Sequence, residues 1–273
     1  MIISVASGKG GTGKTTIATS LALSFKEEIT FLDCDVEEPN AYFFIRPEIT
    51  NRSSFDIPIP KINYERCTFC GRCSEVCAYN AIAVVPNKVL TFPELCHGCG
   101  CCISLCPEEA MVEVPRVIGM IETGRAGKVQ FIQGRLNIGE PSSTPIIRAM
   151  KKLINREDLV IIDAPPGNSC PVIEAVRNSD YTILVTEPTP FGLYDLDLAV
   201  KMLGKLKIDH GIVINRAGIG DQAVERFARD RKIPIITQIA YDREIARTYA
   251  QGGDLSSLPP IMKAMKEIAA RIL

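Results

Sequence analysis

The sequence predicts an α/β fold: a doubly wound, mostly parallel sheet covered by helices on both faces and interrupted by a small α+β cysteine module. Three observations predict it. Apolar, β-rich runs alternate along the chain with stretches whose apolar residues recur at helical spacing. The first of these runs ends in a glycine-rich turn that opens into a helix. Of 11 cysteines, all but Cys34 and Cys170 fall between Cys67 and Cys106.

Ile2 to Ser7 is the first strand. Thr15 to Phe25, with Ile17, Leu21 and Phe25 on one side, is the first helix, and Ile29 to Asp33 is a second buried strand. From about Ile57 the text turns proline- and cysteine-rich and stays so to Val114-Pro115. Pro58, Pro60 and Pro115 read as boundaries, because proline breaks helix and ladder alike. The chain therefore divides into 1–58, an insertion at 59–115, and 116–273. After the insertion Val129 to Ile132 is a strand and Pro145 to Ile154 a helix. Four more strands follow at Leu159–Asp163, Tyr181–Thr186, Gly211–Ile214 and Ile233–Ile239, with helices at Leu193–Leu206 and Gln222–Arg231. The stretch from about 116 to 145 carries no chemistry of its own. Ile261 to Leu273 is amphipathic, and a stripe of that kind packs on its own sheet.

Lys plus Arg number 31 and Asp plus Glu 32, for a net charge of −1 over 273 residues. That balance excludes a strongly basic nucleic-acid coat and leaves no stable membrane anchor to expect. No apolar run reaches the length of a membrane-spanning helix, about 18 residues. The first residues lack a basic, cleavable leader, so the expected location is cytoplasmic. In a reducing compartment clustered cysteines are metal ligands rather than disulfides.

Gly8-Lys9-Gly10-Gly11-Thr12-Gly13-Lys14-Thr15 matches the phosphate-loop pattern G-x-x-x-x-G-K-[ST], after a strand and at a helix start. The glycines let backbone N–H groups converge on phosphate, with Thr16 continuing the helix N-terminus behind them. Lys14 reaches the β- and γ-phosphates and Thr15 ligates Mg²⁺.

Lys9, early in the loop, makes this stretch resemble the deviant Walker A motif of the MinD/ParA/nitrogenase-iron-protein superfamily of P-loop ATPases. The resemblance implies that Lys9 reaches a partner's nucleotide, so that the working unit is a homodimer around two ATP. Phe31-Leu32-Asp33-Cys34-Asp35 resembles that family's switch I, with Asp35 positioning the attacking water and touching the Mg²⁺ shell, and Asp33 supporting it. The alternative is that Asp33 only caps the segment that follows. Leu159 to Gly167 resembles Walker B and switch II, which implies that Asp163 holds the Mg²⁺ shell and the Gly167 N–H senses the γ-phosphate. Ile212 to Arg216 resembles the adenine-reading strand end, with Asn215 offering a donor and an acceptor to the base.

Cys67, Cys70, Cys73 and Cys77 recur as Cys96, Cys99, Cys102 and Cys106, each shifted by 29. C-x₂-C-x₂-C-x₃-C written twice, the second followed by Pro107, resembles the run of two-cluster ferredoxins. In that run the fourth cysteine ligates the other cluster. Cys67, Cys70, Cys73 and Cys106 then bind one [4Fe–4S] cluster; Cys96, Cys99, Cys102 and Cys77 bind the second. Ala78 departs from the pattern where proline is usual. Cys101 is an extra thiol read as a non-ligand, and His97 finds no vacancy between two complete sets. Zinc is the alternative, although its sites prefer C-x₂-C pairs with longer gaps. Cys34 and Cys170 belong to no motif.

The resemblance implies a Mg²⁺-dependent ATP-binding and -hydrolysing iron–sulfur protein, in which nucleotide state gates electron transfer through two clusters to a redox protein partner. The alternatives are an ATP-dependent assembly factor for a metal cofactor or iron–sulfur protein, a ParA/MinD-type positioning ATPase and an ATP-dependent amide- or ring-forming synthetase. The C-x₂-C pair of cluster-carrier ATPases in the C-terminal half is absent.

Overall fold

The computed structural model describes residues 1–273. The chain runs through β1 (Ile2–Ala6), α1 (Lys14–Ser24), β2 (Ile29–Asp33), α2 (Tyr42–Ile45), β3 (Glu48–Ile62), α3 (Arg72–Glu75), β4 (Ile82–Val85) and β5 (Lys88–Thr91). It continues through α4 (Cys101–Ser104), β6 (Met111–Ala126), β7 (Val129–Leu136), α5 (Thr144–Lys151), β8 (Leu159–Asp163), α6 (Cys170–Val176) and β9 (Tyr181–Thr186). The last elements are α7 (Pro190–Leu206), β10 (Asp209–Ala217), α8 (Ala223–Asp230), β11 (Ile235–Ala240), α9 (Arg243–Ala250) and α10 (Pro259–Ile272).

Nine strands form one sheet in the order β11-β10-β9-β1-β8-β2-β7-β6-β3. From β11 to β7 every pairing is parallel. Such strands are buried on both faces and carry unbroken apolar runs, as in Ile2–Ala6 and Leu159–Asp163. One face is closed by a core that includes Ile146, Met150, Val172, Leu196 and Leu203, the other by one that includes Ile17, Leu21, Phe31 and Phe131. The apolar stripe of α10, Ile261, Ala264, Met265 and Ile268, is buried in the second core. Because β1 lies between β8 and β9, the loop that leaves its C-terminal end opens at the point where the winding reverses.

The stretch with no chemistry to name supplies two strands. β6 turns back antiparallel on β7, and β3 pairs antiparallel with β6 from Glu48↔Arg125 to Ile62↔Met111. This long ribbon extends beyond β7 and carries residues 63–110 at its tip. The ladder runs through the prolines expected to break it: Pro58 faces Pro115, and Pro60 faces Glu113. Two opposed prolines form a pair that exchanges no N–H bond. Their missing donors point to open edges, because β3 is the last strand and β7 reaches β6 only from Gly119 onward.

Within the tip the repeat is visible in the backbone. Phe69, Gly71 and Asn80 adopt positive φ, and so do Gly98, Gly100 and Glu109, each 29 residues on. The Ala81 N–H donates to Cys77 Sγ and the Ala110 N–H to Cys106 Sγ, both at 3.3 Å. The strands cross over between the copies. Ile62 pairs with Met111 and Thr91 with Ile82; Ile59 pairs with Val114 and Lys88 with Val85. Each hairpin thus takes one strand from either copy. The module's own core is small, built on Ile82, Val89, Cys102 and Met111.

Candidate functional site

The loop after β1 closes on the start of α1 at Gly13, which has φ 91°. That left-handed φ strains any other residue, and a Cβ there, 2.3 Å from Asn215 Nδ2, would also push the Asn215 amide aside. Lys14 and Thr15, at the first turn of a helix buried along most of its length, both turn toward Asp163 at the end of β8. Lys14 Nζ donates to Asp163 Oδ1 and the Thr15 hydroxyl to Asp163 Oδ2, each at 2.7 Å. Lys14 Nζ also stands 3.9 Å from Asp35. Burial alone would lower the Lys14 pKa, but Asp163 and Asp35 overcome it and raise it. The buried Thr12 hydroxyl has no partner, an orphan within a loop whose N–H groups suit phosphate oxygens.

The two acids of the β2 end part company. Asp33 is fully buried and accepts the backbone N–H groups of Asp35, Asn40 and Ala41, which folds the loop back toward α2. Of the two sequence readings, the geometry is that of the cap. Burial and the neighbouring Asp163 push its pKa up to about 7. Asp35 faces the cleft, and burial pushes it up to about 6. Asp35, Asp163 and the Thr15 hydroxyl form a set of hard oxygen donors, the kind that Mg²⁺ takes beside phosphate.

The cleft is lined by Lys9, Gly10, Gly11, Gly13, Lys14, Thr15, Thr16, Asp35 and Asn215, and by side chains with no motif to mark them: Tyr241, Ile245 and Tyr249. These three come from the β11 end and α9, which no spacing tied to the loop. Gly8 and Thr12 stand behind this lining. Asn215 Nδ2 donates to the Thr12 carbonyl at 2.8 Å, so its amide braces the phosphate loop as well as facing the cleft. The Gly167 N–H, expected to face a γ-phosphate, donates to the Ser7 carbonyl at 3.0 Å because the turn after β8 closes against the end of β1. Lys9, expected to reach out of the chain, is ion-paired within it to Glu187, which also binds Arg216 at 2.9 Å. A cationic side chain beside a largely buried carboxylate takes the nearest counter-charge.

The tip brings the cysteines together in two crossed sets. One cavity is lined by Cys67, Cys70, Cys73 and Cys106, the other by Cys77, Cys96, Cys99 and Cys102 with Cys101. Cysteine sulfurs, four in one cavity and five in the other, are of the soft donor type and sufficient in number for an iron–sulfur cluster. No group of three or more His, Cys, Asp or Glu side chains converges closely enough to hold a metal ion. A lone tetrahedral ion bonds sulfur at about 2.3 Å and so draws its thiolates closer than a four-iron cubane does. Cys34 is buried, and burial raises its thiol pKa; Cys170 is exposed at the start of α6.

Residues 3–255 match the family model described as CobQ/CobB/MinD/ParA nucleotide-binding domain. An uncharacterised protein of Methanocaldococcus jannaschii is 33% identical over 100% of this chain and 98% of its own. A second from that organism is 38% identical over 81% of this chain and 80% of its own. Among solved structures, the septum site-determining protein MinD with Mg-ADP from Pyrococcus horikoshii superposes with a TM-score of 0.62 at 18% identity, covering 99% of this chain and 95% of that one. Apo McdA from Cyanothece gives 0.59 at 16%, covering 100% and 99%. These two likenesses are of fold. No helix is long and apolar enough to cross a membrane.

Proposed function

The chain belongs to the CobQ/CobB/MinD/ParA nucleotide-binding family, and on that premise we propose that it is a Mg²⁺-dependent ATP switch whose cysteine module holds two [4Fe–4S] clusters. The observation that carries the ATPase reading is the Lys14–Asp163–Thr15 arrangement at the mouth of the phosphate loop. With ATP bound, Lys14 turns from Asp163 to the β- and γ-phosphates, and the loop N–H groups and the Thr12 hydroxyl take phosphate oxygens. Asp35, facing the cleft, orients the attacking water and accepts its proton. Thr15, Asp163 and Asp35 would hold Mg²⁺, whose charge would offset that on the transferring phosphoryl group. Lys9 leaves Glu187 for a second subunit's nucleotide, so the active unit is a homodimer.

The two cysteine-lined cavities support the cluster reading. Cys67, Cys70, Cys73 and Cys106 hold one cluster; Cys77, Cys96, Cys99 and Cys102 hold the other, and residues 59–115 form that module. Bound clusters pass electrons one at a time. Switch I joins the module by a short path: Asp33 fixes the N–H of Ala41 at the head of α2, and α2 leads through Pro47 into β3. That path would let nucleotide state reach the cysteine module, whether the bound clusters would supply electrons to a protein partner or pass to a target protein.

A second reading is favoured by the comparisons: the matched structures carry the names of MinD and McdA rather than of electron carriers, which leans toward a positioning ATPase. One series separates the readings. Anaerobically purified protein is assayed for Mg²⁺-dependent ATP hydrolysis, iron and acid-labile sulfide. Cluster reduction and transfer to apo-protein are then followed with ADP and with a non-hydrolysable ATP analogue. Hydrolysis lost in Lys14→Ala, with stoichiometric iron and sulfide, supports the main reading. Hydrolysis in a chain without iron leaves the positioning ATPase.

A further inference from the structure

The copies of the repeat place equivalent residues around the two cavities, and the residues differ in a way that separates the sites. Thr68, Arg72 and Glu108 line the first cavity. Their counterparts under the shift of 29, His97, Cys101 and Tyr79, line the second. The His97 and Tyr79 rings stack with centroids 3.6 Å apart at its mouth. Where Arg72 offers only a cation, Cys101 offers a fifth sulfur.

Cys99 and Cys101 are both exposed, whereas Cys102 is buried and Cys96 half-buried. Cys99 and Cys101 line the same cavity. Between them Gly100 adopts φ 72°, a left-handed turn that sets the two cysteines on either side of it. A thiolate that dissociates from iron leaves a position in a cavity that a second thiol also lines.

Resting on the cluster reading above, we propose that the second site draws four ligands from five, with Cys101 an alternative ligand that exchanges with Cys99. The exchange is a ligand substitution without redox change: one Fe–S(Cys) bond forms as the other breaks, and the proton of the incoming thiol passes to the outgoing thiolate. The first site, with Arg72 at the matching position, has no such spare. The second site, against Pro58 and Pro60 of the ribbon, is then the one of the pair able to open one ligand position without losing its cluster.

The test uses full-length protein, purified without oxygen and reconstituted with iron and sulfide, as wild type, Cys70→Ser, Cys99→Ser, Cys101→Ser and the double Cys99→Ser/Cys101→Ser. Iron and sulfide per chain and the EPR spectrum of the reduced protein are the readouts, with ATP-analogue affinity as the check on folding. Cys70→Ser and the double variant lose half the iron of wild type. Cys99→Ser and Cys101→Ser keep all of it, and Cys99→Ser shows an altered spectrum for one cluster. Loss of half the iron in Cys99→Ser alone overturns the exchange while leaving two clusters in wild type. Iron-free wild type, in contrast, overturns the cluster reading itself.

Discussion

In the nucleotide cleft Lys14 and Thr15 each bond Asp163 at 2.7 Å, in a body whose sheet is covered by cores of 26 and 22 buried residues. In the cysteine module a core of 4 buried residues stands behind two cavities, and Cys77, Cys96 and Cys106 accept only isolated backbone N–H groups. The first region is a finished structure that trades one set of partners for another when a ligand arrives. The second has so small a core that it supplies little folding free energy of its own, and on the cluster reading a bound occupant would supply the rest. One site holds its order in side-chain pairs; the other, on the cluster reading, would hold it through what the cysteines bind.

Removing the occupant gives the largest expected effect. Chelating iron from anaerobic protein speeds amide exchange between 63 and 110 by roughly a hundredfold or more, while the strands β1, β8 and β9 keep their protection. Equal protection before and after chelation would break the comparison. Next comes Asp35→Asn, which lowers kcat for ATP about 100- to 10,000-fold, with nucleotide affinity changed only a few-fold; single-turnover hydrolysis and a binding titration check it. Lys14→Ala leaves Asp163 buried and uncompensated, so the apo fold loses about 3–5 kcal/mol in urea unfolding and nucleotide affinity falls with it. The same truncation on the tip, Arg66→Ala, removes an exposed pair with Glu109 and costs about 1 kcal/mol or less.

The smallest effect is a pH dependence. Asp33 has its folded pKa raised to about 7 from an ordinary 3.8, so the native state binds this proton more tightly than the unfolded chain does. Its contribution to stability is whole below about pH 4 and is lost as pH rises through about 7. Asp33→Asn, neutral throughout, therefore gains on wild type between pH 5 and pH 8 in thermal melts of the apo protein. A constant difference across that range would show that Asp33 is ionised throughout.

Much of the parallel sheet was legible because strands buried on both faces write themselves as unbroken apolar runs, as at Ile29–Asp33 and Tyr181–Thr186. The phosphate loop and the cysteine repeat were legible because their chemistry fixes residue type at fixed spacing. The ribbon was not. β3 passes through Asn51, Arg52, Ser53 and Ser54, exposed and without alternation, and its prolines argue against a strand until the open edge is seen. The cleft wall of Tyr241, Ile245 and Tyr249 was equally silent, since tertiary closure alone brings α9 to the loop. The Lys9–Glu187–Arg216 pairing joins residues far apart in the chain, and no local pattern announces such a triad.

The crossed hairpins carry one last consequence. Neither half of the duplicated motif is a spare. Deleting residues 88–114 to obtain a one-cluster protein would strip the surviving copy of both its ladder neighbours and of Cys106, and deleting the first copy would do the mirror-image damage through Cys77. A lineage, or a designer, wishing to simplify this appendage must discard it whole or keep it whole.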